Sequence, residues 1–100
     1  MVEKSVKNKA RSLVSVLISA YNHENYIEEC IDSIINQSYE NIELIILNDG
    51  STDRTSEKIK LKVEDCKRRF KRFLFIDKKN EGVAKTLNNG LFKSKGKFLT

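Results

Sequence analysis

Short β-branched apolar runs alternate along this chain with apolar stripes at helical spacing, and that alternation constrains the fold more than any single residue. Leu13-Val14-Ser15-Val16-Leu17-Ile18, Ile42-Glu43-Leu44-Ile45-Ile46-Leu47 and Arg72-Phe73-Leu74-Phe75-Ile76-Asp77 have the length and composition of buried strands, and Lys97-Phe98-Leu99-Thr100 begins a fourth. Between them Ile27, Cys30, Ile31, Ile34 and Ile35 form one helical stripe, and Ile59, Val63, Cys66 and Phe70 form a second. Val83, Ala84, Leu87 and Leu91 form a third. Asn25 is the expected cap of the first helix. Gly90, within the third, is expected where another backbone or side chain approaches closely.

The order β-α-β-α-β-α-β requires crossover connections and hence parallel strands, so the pattern predicts an α/β, Rossmann-like parallel sheet with flanking helices. One hundred residues make a single small domain. It is expected over residues 13–100, preceded by a flexible basic tail at 1–12. No apolar run has the length of a membrane span, and the first dozen residues lack the apolar segment of a secretory signal. Cys30 and Cys66 have no CxxC spacing and fall inside helical patterns, which predicts buried thiols in a reducing compartment. A single histidine, His23, and no Cys/His cluster argue against structural zinc. The formal charge of +5 is concentrated in Lys67-Arg68-Arg69-Phe70-Lys71-Arg72. That cluster first suits the C-terminal end of a helix, where cations complement the dipole on a solvated face; the sharper alternative is contact with an anionic membrane surface or nucleic acid.

The stretch LNDGSTD, residues 47–53, puts an aspartate and a glycine at the end of a buried strand. In open α/β sheets ligands gather at such strand ends. An ionised Asp49 accepts hydrogen bonds only, and so suits an N–H donor. Gly50 permits a sharp turn beside it. Ser51, Thr52 and Asp53 are candidate caps for the next helix, and Asp49 itself can be read as part of the turn.

Two segments, VSVLISAYNHENYIEECIDSIINQSYENIELIILNDGSTDRT (14–55) and NEGVAKTLNNGLFKSKGKFLT (80–100), resemble the nucleotide-sugar-binding half of the family 2 glycosyltransferases. Four motifs appear in order: a strand running into Tyr-Asn, a Gln-x-Tyr before the second strand, Asn-Asp-Gly-Ser-Thr-Asp after it, and paired Asn-x-Gly segments. Ser19 stands where the family commonly has proline, Asn48 where it often has aspartate, Glu40 where proline often follows the tyrosine, and Leu87 where arginine is frequent. The resemblance implies the N-terminal part of a GT-A fold, truncated at its fourth strand. The Asp-x-Asp metal motif and the catalytic base are expected beyond Thr100, so no metal ligand is expected within this chain and the chain alone is expected not to transfer sugar.

By the same resemblance, Ser19 and Tyr21 leave the first strand beside the base and ribose of a nucleoside-diphosphate sugar, most simply a UDP-sugar. Tyr21 would offer a ring face and a hydroxyl, unless it only packs over the sheet edge. Asp49 and Gly50 would meet the base, and Lys85, in the first turn of the third helix, would meet the diphosphate or remain a surface lysine. Asn88 matches the family pattern, Asn22 suits a turn, and His23 is expected at the surface. The implied reaction moves the sugar to an acceptor hydroxyl on a glycan or lipid-linked acceptor, with Mn or Mg neutralising the departing diphosphate. The implied setting is surface glycan or polysaccharide synthesis, cytoplasmic or peripheral at the inner face of the membrane, without nucleic acid as a partner. Self-association through an exposed sheet edge is a further expectation. The residues alone also accommodate a non-catalytic nucleotide-binding α/β module, or a basic interaction domain built on 67–72. A receiver-like phosphoacceptor domain lacks its acidic pair near the first strand.

Overall fold

A computed structural model of the chain describes residues 12–98. Their order is β1 (Val14–Ala20), α1 (Ile27–Ile35), β2 (Ile42–Asp49), α2 (Thr55–Leu61), α3 (Val63–Arg69), β3 (Arg72–Lys78), α4 (Val83–Lys93) and β4 (Lys97–Phe98). The strands form one parallel sheet in the order β3-β2-β1-β4. The α/β alternation read from the sequence is thus the fold. β2 lies centrally and all of its residues are buried, which explains its nearly unbroken apolar run.

Side chains alternate across the sheet. Ile42, Leu44 and Ile46 of β2 join Ile27 and Ile31 of α1, Ile59 of α2, Cys66 of α3 and Phe70 in one core. Helix α4 covers the opposite face of β1 and β2. There a Cβ on Gly90 would lie 3.0 Å from Leu47 and 3.1 Å from Leu17, so the close approach expected at this glycine is present.

Several expectations are corrected. The second helix is two: Lys62 interrupts it, donating its amide to the Ile59 carbonyl in a tightened turn while its ammonium reaches both Asp32 oxygens of α1 at 2.9 and 3.1 Å. Asn25 does not cap α1, which begins after Tyr26 without a side-chain cap. The amides of Tyr26 and Ile27 instead share the His23 carbonyl. Cys30 is exposed because it lies on the outer side of α1, whereas Cys66 is buried and its thiol is pushed up to about 11 by burial. The expected tail lies outside the described residues except for Ser12, whose carbonyl accepts the Tyr39 hydroxyl. Leu99 and Thr100 of the expected fourth strand also lie outside them.

Candidate functional site

At the C-terminal ends of β1, β2 and β3, three loops interlock. The β1–α1 and β2–α2 loops exchange hydrogen bonds in both directions. The Asn22 amide donates to the Ser51 hydroxyl at 2.9 Å, and the Thr52 amide donates to the Asn22 side chain at 2.8 Å. The His23 and Glu24 amides donate to Thr55 and Asp53, and the Arg54 amide returns to Glu24 at 2.8 Å. Asn22, at φ 53°, is a non-glycine residue in the left-handed region, which asparagine tolerates better than most. Asp53 accepts the Thr55 amide and hydroxyl, so it does hold the start of α2. Burial pushes the Asp53 carboxyl up, but these donors and the Glu24 amide outweigh it and hold it below the ordinary aspartate value. Ser51 turns back to the Asn48 side chain, whose amide donates to Asp77 at 2.7 Å. Most of the NDGSTD motif is therefore occupied in joining loops.

Asp49 is different. It ends β2, is 2% exposed, and directs its carboxylate to the β3–α4 loop. The Glu81 amide donates to Oδ1 at 2.8 Å and the Gly82 amide to Oδ2 at 2.9 Å. The Lys78 ammonium lies 3.4 Å from Oδ1. Burial raises the carboxyl, but the Glu81 amide, the Thr86 hydroxyl, the Gly82 amide and Lys78 together hold it below its ordinary value. It is an anion at neutral pH. Gly50 follows at φ 71°, and a Cβ there would lie 2.5 Å from the Asn80 nitrogen, so this turn and the β3–α4 loop pack backbone to backbone.

The register sets Ala20 beside Asn48, so Tyr21 leaves β1 level with Asp49. Tyr21 is 47% exposed. Ser19 lines an apolar groove of about 460 Å³ with Ile18, His23, Tyr26, Ile27 and Cys30. Lys85 is exposed on the first turn of α4, where its charge helps, after Lys78, to hold Glu81 ionised. Ser19, Tyr21, Asp49 and Gly50 thus share the β1/β2 end of the sheet, with Lys85 beyond the third loop. Sequence reading missed Lys78 and Glu81 and took Asn80 only as the start of an Asn-x-Gly motif. Lys78 is the register partner of Asp49, and pairing β2 with β3 was the only signal that would have found it.

The basic cluster at 67–72 is divided between side chains held by the fold and the exposed Lys67, Arg68 and Lys71. Arg69 donates to the carbonyls of Ile35, Gln37, Tyr39 and Glu40, Arg72 pairs with buried Glu43, and Arg68 pairs with Asp65. Among the described residues no three His, Cys, Asp or Glu side chains converge, so these residues do not fit a divalent ion by themselves. No described helix is long and apolar enough to cross a membrane.

A family model described as glycosyl transferase family 2 matches residues 15–100. An uncharacterized glycosyltransferase of Rickettsia bellii is 46% identical over 86 residues, covering 86% of this chain and 12% of that protein. The glycosyltransferase GlyA of Streptococcus pneumoniae is 39% identical over 87 residues, covering 87% of this chain and 12% of its own length. Among solved structures, the mannosyltransferase PcManGT from Pyrobaculum calidifontis, in complex with GDP-Man and Mn2+, superposes with a TM-score of 0.75 at 27% identity. The match covers 83% of this chain and 24% of that one. The chain therefore spans a minor part of the length of these relatives.

Proposed function

The chain belongs to glycosyl transferase family 2, and from that premise we propose that it binds the nucleotide of a nucleoside-diphosphate sugar for transfer of the sugar to an acceptor hydroxyl. The observation that carries this reading is Asp49, a carboxylate held ionised at the C-terminal end of the central strand with N–H donors as its partners. A carboxylate so held selects a base edge that donates. Uracil presents N3–H and guanine N1–H, whereas cytosine N3 and adenine N1 are acceptors that would face its lone pairs. The preferred donor is then a uracil or guanine nucleotide, with a UDP-sugar as the simplest case; the GDP-Man bound by PcManGT has a base of the same donor type.

Tyr21, exposed and level with Asp49, supplies a ring for the base or ribose, and Ser19 a hydroxyl beside it. Gly50 lets the turn after Asp49 close on the Asn80 backbone, which holds Asp49 at the strand end. Lys85 supplies a cation for the diphosphate at the start of α4. A divalent ion would neutralise the departing diphosphate when bound; the described residues do not fit it, and the roles assigned here belong to the chain's own side chains. The setting is surface glycan synthesis, with a glycan or lipid-linked acceptor at the inner face of the membrane.

Titrating UDP, GDP and CDP into the chain while following backbone amide shifts tests this reading. UDP and GDP should perturb Tyr21, Asp49 and Gly50 at lower concentration than CDP. Absence of binding by all three, or shifts confined to other parts of the sheet, would remove the reading.

A further inference from the structure

The bonds of the β3–α4 loop converge on one residue. Beyond the amides of Glu81 and Gly82 on the Asp49 carboxylate, the Asn80 side-chain amide donates to the Asp49 carbonyl at 3.1 Å. Lys78, at the end of β3, ties this arrangement together. Its ammonium lies 2.6 Å from Glu81 Oε1, 3.3 Å from the Thr86 hydroxyl of α4 and 3.3 Å from the Lys79 carbonyl, as well as near Asp49. The loop is thus fastened to β2, to its own tip and to α4 through one cation. Asp49 is consequently sealed, although Gly50 beside it is only partly buried and Tyr21 is exposed.

A ligand N–H arriving at Asp49 meets a carboxylate already bonded to backbone N–H groups of the same donor chemistry. We propose that the β3–α4 loop is a gate over Asp49, latched by the Lys78–Glu81 pair, and that a nucleotide binds by exchanging its ring N–H for the amides of Glu81 and Gly82. This rests on Asp49 as the acceptor for the base. The donor type at the carboxylate is kept, with one ring N–H of uracil taking the place of one amide and water meeting the other oxygen and the two released amides, so how firmly the loop is held weighs directly on the balance. Gly82 provides the hinge: its φ is 93°, and nothing lies within 4 Å of where a Cβ would be. Because the nucleotide binds only the open form, its apparent affinity is the intrinsic affinity reduced by the open fraction. Weakening the latch therefore tightens binding. A residue that merely supported the site would do the reverse.

The test uses UDP and the chain with Lys78→Met and, separately, Glu81→Ala. Glu81 has a side chain that is 43% exposed, and its backbone amide survives the substitution, so the second variant keeps the fold and the Asp49 bond. The two changes remove charges of opposite sign. Simple attraction or repulsion of the nucleotide phosphates would move their affinities in opposite directions. Loss of the latch should tighten UDP binding in both, by about three- to tenfold, with faster hydrogen exchange at the Glu81 and Gly82 amides. In the wild type, saturating UDP should shift those two amides and speed their exchange. Opposite or uniformly weaker binding in the variants, or unaltered Glu81 and Gly82 amides in the UDP-bound wild type, would overturn the gate while leaving nucleotide binding intact. No UDP binding by the wild type would overturn both.

Discussion

Asp49 and Glu43 are buried carboxylates on the same face of one strand, and their partners divide the work of the chain. Glu43, at the far end from the site, accepts the Ser15 hydroxyl and the Lys95 amide and pairs with Arg72. Asp49 accepts the amides of a loop that also presses on Gly50. Gly50→Ala should therefore be costly, because the new methyl group meets the Asn80 backbone and the residue is held in the left-handed region. A loss of about 3 kcal/mol in urea unfolding is expected. Gly82→Ala, at φ 93° and ψ 157° in a region open almost only to glycine but with free space for the methyl group, should lose about 2 kcal/mol, less than Gly50→Ala. Equal losses would mean that the loop does not pack on Gly50 as described. The sequence made Asp49 and Gly50 visible because they sit at the end of an apolar run. Lys78 was hidden, since a lysine ending a strand looks like any surface lysine until its opposite residue is known.

Polar pairs lock the central strands in register. Ser15–Glu43, Glu43–Arg72, Asn48–Asp77 and Asp49–Lys78 are each direct register partners. A slip of one residue would turn every one of them onto the wrong face. Glu43 also fixes the turn from α4 into β4: the Lys95 amide reaches its carboxylate, and the Gly96 amide reaches Ser15 at 2.9 Å. Glu43→Ala should cost about 3 kcal/mol, as expected on breaking a buried pair. Glu43→Gln, which keeps an acceptor, should cost less and preserve slow exchange at Lys95 and Gly96. Burial raises the Glu43 carboxyl, but Ser15, Lys95 and Arg72 hold it below its ordinary value of 4.5. Its contribution is therefore present above that pH and is lost as pH falls through the lower folded-state value. Acid unfolding of Glu43→Gln should begin from a lower plateau and be shallower below pH 4.5; an unchanged acid profile would mean that Glu43 is not ionised. Element type and order were legible because strand and helix periods differ. The break at Lys62 was not, because its ammonium meets Asp32 of α1, thirty residues away; nor was the uncapped start of α1, where the His23 carbonyl takes the first amides in place of a side chain.

At the scale of the molecule, β3 is one of the two edge strands of the described sheet, and Phe92 of α4 is 92% exposed beside a groove lined by Leu74 and Ile76. The open outer edge of such a strand, with apolar neighbours, is a template for another chain. Sedimentation at rising concentration should therefore reveal dimers, and a monomer at every concentration would contradict that expectation. The parallel sheet and family were readable from the order of strands, helices and motifs. The closure of the third loop over Asp49 was not, since it joins residues distant in sequence through backbone amides that carry no sequence signal. The central claim is that Asp49 reads the base, and the most direct measurement is the ratio of UDP to CDP affinity in the wild type and in Asp49→Asn. The wild type should prefer UDP by about tenfold, and asparagine, which can present a donor to cytosine N3, should bring the ratio close to one. A wild-type ratio near one, or a preference that survives the substitution unchanged, would contradict the claim.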